Sequence, residues 1–469
     1  MKNVKKNRKL YITLLLLMFL IGAALIYAGY TYIKSGSNVS FGDAMRADQL
    51  TMLIVFLVMI PILLLALTVA VLIFGRRSAR KANQMLFYAS TEQTSEPKER
   101  IRSGRREGGS GERFCMLSEI DRNSEQYKRA FYEKNVTMES FCNDFRNYAA
   151  NKLKLYYDIE DIRRFIAGLA VSKLVILQGM SGTGKTSLAH AFGSFTDNSS
   201  TVIPVQPMWK ERTDLIGYYN EFTKRFNETV LLQKMYEANY RNDMFVVVLD
   251  EMNIARVEYY FAEFLSLLEI PREDKRYIDV VSDVWESDPK LLKNGRLKLP
   301  PNMWFIGTAN NDDSTFAISD KVYDRAMIMN LDKKAVVFEP EETDGVHISA
   351  AYFEHLATKA KKEYRLTSRN KRRLKMLDDY MVDCFKITFG NRIMKQIETY
   401  VPVYLACGGE ELEALDDIIS KKVLRKLETQ NPIYVRNNVE ALCNYLDELF
   451  GYDKMVLCKA YLSKFERSA

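Results

Sequence analysis

Histidine and cysteine are scarce in this chain of 469 residues, with three histidines (His190, His347, His355) and six cysteines. The cysteines (Cys115, Cys142, Cys384, Cys407, Cys443, Cys458) form no C-x-x-C pair and are too scattered for a disulfide scaffold. No H-E-x-x-H occurs. Zinc ribbons, thioredoxin-type redox sites and zinc hydrolases are therefore disfavoured. No internal repeat is visible. A hydrophobic share of 47% and a charged share of 27% exclude a chain disordered throughout, a collagen and a coiled-coil rod. The length leaves room for about three folded units at roughly 150 residues each. The net charge of +7 is mildly basic and says little until it is located.

What is present is uneven. Leu10 to Ile33 and Leu50 to Phe74 carry no charged residue, and the second run holds only Pro61 as a helix breaker. Each is about 24 residues long, enough for a helix to cross a hydrocarbon core of about 30 Å. A secretory signal is the other reading of the first run, but its apolar stretch exceeds the usual ~7–15 residues. Lys2, Lys5, Lys6, Arg8 and Lys9 precede the first run, and Arg76, Arg77, Arg80 and Lys81 follow the second. The loop between them has only Lys34 and Arg46. The positive-inside bias places both termini in the cytoplasm, with the chain held in a bacterial-type inner or plasma membrane. Cysteines beyond Phe74 are then expected as reduced thiols.

Ser90 to Arg113 is almost free of apolar residues and reads as a flexible linker. Its Arg100, Arg102, Arg105 and Arg106 would suit anionic lipid head groups or a nucleic-acid backbone, although a solvated tether needs neither.

The strand-like run Leu174 to Gln178 leads into Gly179-Met180-Ser181-Gly182-Thr183-Gly184-Lys185-Thr186, then Ser187 and a helical pattern. This is G-x-x-x-x-G-K-[ST] in the strand–loop–helix setting the motif requires. Its glycines turn successive backbone N–H groups toward one anion at the positive end of a helix. Lys185 would reach the terminal phosphates of a nucleotide, and the Thr186 hydroxyl would hold Mg²⁺. Phe245 to Leu249 is a fully apolar strand ending in Asp250-Glu251. Asp250 would order the same Mg²⁺, and Glu251 would deprotonate the attacking water. The plainer alternative is that the acidic pair caps the helix that follows. A third strand, Met303 to Thr308, brings Asn310 to a tip where an amide can meet the attacking water or γ-phosphate. Arg325 stands just before a further strand, Ala326 to Leu331, and reads equally as a surface ion pair. Trp209, Lys210, Tyr218 and Tyr219 are either core or a polymer grip facing a channel. His190 reads as a packed core histidine, and Lys359 to Ala469 as helices.

These stretches together resemble the AAA+ ATPases, in the McrB-like clade that neighbours the dynein-related and MoxR branches. The similar segments are L-Q-G-M-S-G-T-G-K-T-S (178–188), L-D-E-M-N-I-A-R-V-E-Y-Y-F (249–261), P-P-N-M-W-F-I-G-T-A-N (300–310), F-G-N-R (389–392) and V-L-R-K-L (423–427). The resemblance implies an α/β P-loop NTPase domain, with a five-stranded parallel sheet in three layers and a C-terminal helical lid. It also implies a homo-hexameric ring with nucleotide between subunits. Gly179, Gly184, Lys185 and Thr186 match the phosphate loop, Asp250 and Glu251 the metal and water carboxylates, and Asn310 the sensor asparagine. Arg325 matches the arginine presented to a neighbour's γ-phosphate, and Arg392 resembles the second sensor arginine. The chain departs from McrB in having two membrane spans where a DNA-reading domain is expected. It has no P-D…(D/E)-x-K nuclease signature, so a nuclease or other effector would act in trans, and nucleic acid as a partner stays open. No N-K-x-D guanine-reading motif occurs, so ATP is expected rather than GTP.

The division that follows is a basic tail over 1–9 and spans over 10–33 and 50–74, joined by an outside loop over 34–49. A basic linker occupies 75–113, a small helical segment 114–160, the nucleotide-binding core 161–335, and the lid with added helices 336–469. Function is expected to be remodelling or translocation of a partner driven by hydrolysis, in a setting of restriction-like or anti-phage defence. The alternative is a nucleotide-gated membrane switch whose assembly state is the output.

Overall fold

The computed structural model describes residues 112–127, 132–310, 315–333 and 335–467. The tail, both expected membrane spans, the loop between them and the linker up to residue 111 lie outside the described residues. Among the described residues no helix is long and apolar enough to cross a membrane.

Five apolar runs become the strands β1 (Leu174–Gly179), β2 (Thr201–Pro204), β3 (Phe245–Asp250), β4 (Met303–Asn310) and β5 (Met327–Asn330). They form one parallel sheet in the order β2-β3-β4-β1-β5. A strand covered on both faces needs near-continuous apolar sequence, which is why β3 and β4 read as they do. Successive side chains leave the sheet on opposite sides. Val175, Leu177, Val246, Val248, Trp304 and Ile306 enter one core, and Leu174, Ile176, Val247, Leu249, Met303 and Phe305 enter the other.

The first core is closed by α1 (Met138–Leu153), α2 (Ile159–Val171) and α3 (Lys185–Phe195), through Phe141, Phe165 and Phe192 among others. The second is closed by α4 (Val230–Ala238) and α5 (Ala262–Glu269), through Met235 and Phe264. The result is three layers. The C-terminal helices are α6 (Ala350–Glu363), α7 (Ser368–Phe385), α8 (Gly390–Ala406), α9 (Glu411–Lys422), α10 (Pro432–Phe450) and α11 (Val456–Arg467). Their buried Leu377, Ile397, Tyr400, Ile418 and Leu442 belong to the same core as one face of the sheet. The C-terminal helices are therefore packed onto the sheet and its covering helices through α2 and α8.

Two expectations change at this level. His190 is exposed on α3, because its neighbours Leu188, Ala189, Ala191 and Phe192 take the positions that face the sheet; its Nδ1 lies 3.3 Å from Ser200 Oγ. Arg113, placed in the solvated linker by its polar surroundings, is buried. Its guanidinium donates to both Asp288 oxygens at 2.7 and 2.6 Å and lies 4.6 Å from the Trp285 ring. The sequence around Arg113 is hydrophilic, but its charge partner lies 175 residues away.

Candidate functional site

β1 ends at Gly179 and α3 begins at Lys185, so the phosphate-loop motif is the turn between them. Gly179 has φ +147°, and a Cβ there would lie 2.3 Å from the Leu331 carbonyl oxygen, so no other residue fits. Gly184 caps α3 at φ +89°, a left-handed conformation that glycine adopts without steric cost. Met180, Ser181 and Gly182 are exposed at the crown of the loop, and Thr183 Oγ1 donates back to Met180 O at 3.0 Å. The Lys185 side chain is buried beneath, with Nζ donating to Gly179 O at 2.9 Å and Met180 O at 2.7 Å. Thr186 and Ser187 occupy the first turn of α3, whose unpaired N–H groups and dipole favour an anion. Tyr157, just before α2, donates its hydroxyl to Gly184 O at 3.1 Å. Burial pushes that phenol well above its usual range, so it stays a donor.

The acidic pair stands beside the loop. Asp250 Oδ1 accepts from Thr186 Oγ1 at 2.7 Å and from Thr308 Oγ1 at 2.9 Å. Thr308 Oγ1 in turn accepts the Glu251 N–H at 2.8 Å. Thr308 thus ties the two carboxylate residues to β4. Glu251 has φ 53° and ψ 47°, a left-handed backbone that costs a non-glycine residue roughly 1–2 kcal/mol, and it is exposed. Strain of this kind, held by neighbouring hydrogen bonds, is typical of functional positions. Asn310 pairs in register with Gly179 and so sits next to the loop. Its backbone is clamped by Asn253, whose Nδ2 donates to Asn310 O at 2.9 Å and whose Oδ1 accepts from Asn310 N at 3.3 Å. Between these strand tips and the C-terminal helices opens a cleft of about 530 Å³, lined by Gln178, Asn310, Asn330, Lys421 and Arg425 among others.

This arrangement fits a Mg²⁺–nucleoside triphosphate. The Thr186 hydroxyl and Asp250 carboxylate, 2.7 Å apart, are hard oxygen donors. Mg²⁺ in such sites uses one or two carboxylates together with substrate phosphates. Among the described residues no cluster of three or more His, Cys, Asp or Glu is placed to hold a metal.

The two arginines are elsewhere. Arg325 lies before β5, and its carbonyl accepts from Ser172 Oγ at 2.8 Å, just ahead of β1. The phosphate loop follows the other end of β1, six residues on, or about 20 Å along a strand. Arg325 Nη2 donates to Glu269 Oε2 at 2.7 Å and Nη1 to Lys321 O at 2.5 Å; its Nε is buried without a hydrogen-bond partner. Arg392 Nη2 donates to the other Glu269 oxygen. Both arginines line a cleft of about 600 Å³ with Lys173, Glu269 and Gln396. The structure therefore gathers Lys185, Thr186, Asp250, Glu251 and Asn310 at one end of the sheet, and Arg325 and Arg392 at the other.

The suggested polymer grip divides. Trp209 is half-buried against Tyr260, ring centroids 5.5 Å apart, and Tyr219 packs on Trp285 at 6.1 Å. Lys210 and Tyr218 are exposed, and Tyr218 belongs to a hairpin, Gly217–Asn220 with Arg225–Glu228. Thr308, Asn253, Tyr157 and Glu269 escaped the sequence reading. Thr308 and Asn253 lie within quoted motifs, so an eye for hydroxyl and amide side chains beside the acidic pair would have found them.

Residues 174–326 match the model of the AAA domain of the dynein-related subfamily. The chain carries an AAA-type α/β domain with a five-stranded parallel sheet and C-terminal helices. A crystal structure of an inferred ATPase from Cytophaga hutchinsonii is similar at TM-score 0.43 and 12% identity, covering 70% of this chain and 98% of that one. A full-length MCM homolog from Methanopyrus kandleri is similar at TM-score 0.32 and 12% identity, covering 67% of this chain and 62% of that one. No curated protein matches.

Proposed function

We propose that this chain is a membrane-anchored nucleoside triphosphatase of the McrB-like AAA+ type, which assembles with copies of itself into a ring. It hydrolyses ATP in preference to GTP at the junctions between subunits. The observation that carries the reading is the separation of the hydrolytic residues from Arg325 and Arg392 across the length of one strand. A subunit alone has a phosphate loop, a metal pair and a base; its Arg425, in the cleft beside Asn310, is held by Asp320 and the Tyr323 ring, and the charge of Arg325 and Arg392 lies at the far end of the sheet. A second subunit, set with its Arg325 face against the first one's phosphate loop, supplies that charge.

Within one such site, Lys185 exchanges the carbonyls of Gly179 and Met180 for phosphate oxygens, a charge-assisted contact stronger than the one it leaves. Thr186 and Asp250 would hold Mg²⁺, which would supply positive charge beside the phosphates. The exposed Glu251 carboxylate takes a proton from water, and the Asn310 amide orients that water. The neighbour's Arg325 and Arg392 leave Glu269 to meet the charge spreading over the γ-phosphoryl oxygens. Exposed or half-exposed ion pairs are worth about 0–1 kcal/mol, so releasing the arginines costs little. The energy would drive remodelling or movement of a partner, and a nuclease or other effector subunit in trans is the partner suggested by the McrB resemblance. A defence setting rests on that resemblance alone. Anchoring through residues 10–33 and 50–74, with both termini cytoplasmic, is supported by the Lys and Arg asymmetry around them.

The test is Mg²⁺-dependent phosphate release by the full-length protein with ATP and with GTP. Wild-type protein should turn over ATP faster than GTP. Glu251→Gln should bind nucleotide and turn it over about 10²–10⁴-fold more slowly, the scale of a lost general base. A Glu251→Gln protein as fast as wild type contradicts the assignment.

A further inference from the structure

Lys422 ends α9 in the lid and is buried, 5% exposed. Its Nζ donates to Tyr323 O at 2.6 Å and also to Ala326 O. These two carbonyls flank Asp324 and Arg325. Asp324 O accepts from Gln396 Nε2 on α8 at 3.2 Å, and Arg325 O from Ser172 Oγ at 2.8 Å. Four consecutive carbonyls, 323 to 326, are thus held by side chains, and three of them by the lid. The Arg425 guanidinium, just beyond α9, lies 3.1 Å from the Tyr323 ring centroid and 3.0 Å from Asp320. Surface loops seldom have every carbonyl taken by side chains from other elements, and a buried ammonium at the centre is costly unless it is needed there.

We propose that Lys422 is a positioning residue for Arg325: it fastens the Tyr323–Ala326 segment to the lid, so that lid and arginine move as one body toward a neighbouring subunit's nucleotide. The inference rests on the reading that Arg325 acts across a subunit interface. It adds a direction of communication. A lid displaced by nucleotide in its own subunit carries the Arg325 backbone with it, because Nζ bridges two carbonyls and Gln396 a third. Whether charged or neutral, a lysine amine offers at least two N–H donors for those two carbonyls. A side chain without donors would leave both carbonyls buried and unpaired, and the segment free to shift. A displacement of about 1 Å at a catalytic group lowers turnover about 100-fold.

The test uses full-length protein and phosphate release. Lys422→Met should lower kcat about 10- to 100-fold and leave KM for nucleotide within about twofold, because its own phosphate loop is untouched. Gln396→Met, which removes one carbonyl contact from a half-buried site, should change kcat in the same direction by less; it carries the test should Lys422→Met fail to fold. Lys422→Met mixed with the inactive Lys185→Ala should regain activity, since a sound phosphate loop then faces a sound arginine. A purely structural role would lower melting temperature and nucleotide binding and give no recovery on mixing. An active Lys422→Met beside a dead Arg325→Ala overturns this inference alone. An active Arg325→Ala overturns the interface reading and this inference with it.

Discussion

Arg325 and Arg392 come from different parts of the chain yet donate to opposite oxygens of one carboxylate, Glu269. That carboxylate ends α5 and stands at the end of the sheet away from the phosphate loop. The pairing puts Arg392, which resembles a sensor arginine, on the same face as the arginine expected to reach a neighbour. Arg392→Ala should therefore leave nucleotide affinity within about threefold and lower turnover at least 10-fold, as loss of a transition-state charge does. Equilibrium binding of a fluorescent nucleotide, read beside phosphate release, checks this. Loss of affinity instead would mean that Arg392 serves its own subunit's site.

Thr308 links Asp250 to Glu251 through one hydroxyl, at 2.9 and 2.8 Å. Thr308→Val keeps shape and removes both hydrogen bonds. Outer-shell partners of metal ligands typically matter by 10- to 100-fold. The variant should need more Mg²⁺ for half-maximal turnover and lose about that factor in rate. A Mg²⁺ titration identical to wild type would show that Asp250 does not depend on Thr308.

How much of this could be read from the chain follows from how local each interaction is. The phosphate loop, Asp250-Glu251 and the Asn310 strand are contiguous motifs on apolar strands, and both period and composition give them away. Fold class followed from the same strands. Lys422 and Ala326 are 96 residues apart, and Arg325 and Glu269 are 56 apart. No periodicity links such pairs, so nothing in the sequence marks Lys422 or Glu269. His190 misled because helical spacing near an apolar stretch cannot tell which single position turns outward. Arg113 misled because composition judges a segment by its neighbours in sequence, whereas Asp288 and Trp285 meet it in space. Asp250 and Thr186 are 64 residues apart, no closer in sequence than Arg325 and Glu269, but each lies in a contiguous motif whose pairing is already implied.

Stability should report the buried amine. Burial pushes Lys422 down to about 7, with Arg425, Arg392 and Lys426 adding to the depression and the Asp324 carboxylate opposing it. Between about pH 7 and the ordinary lysine value near 10.5, the unfolded chain keeps a proton that the folded protein has released. The unfolded state then binds more protons, so this group makes stability rise with pH across that window. Wild type should gain melting temperature relative to Lys422→Met between pH 6.5 and pH 9. A difference that stays constant over that range would contradict the assignment.

The membrane reading has its own check. A cysteine introduced into the Ser35–Ser40 loop should react with an impermeant maleimide added to intact cells, whereas one introduced between Glu99 and Arg106 should react only after lysis. The opposite sidedness would overturn the proposed topology.

The proposed catalytic site is shared between subunits. The most direct measurement mixes two full-length variants, each inactive alone: Arg325→Ala, which keeps its phosphate loop, and Lys185→Ala, which keeps its arginine. An arginine supplied across an interface is worth about 10³-fold or more in phosphoryl transfer, so each variant alone should be close to silent. Mixed in equal amounts, with co-assembly shown by pull-down of one tagged variant with the other, they should regain phosphate release through the junctions that pair a sound loop with a sound arginine. A co-assembled mixture that stays silent, or an Arg325→Ala protein that is active by itself, would contradict the shared site.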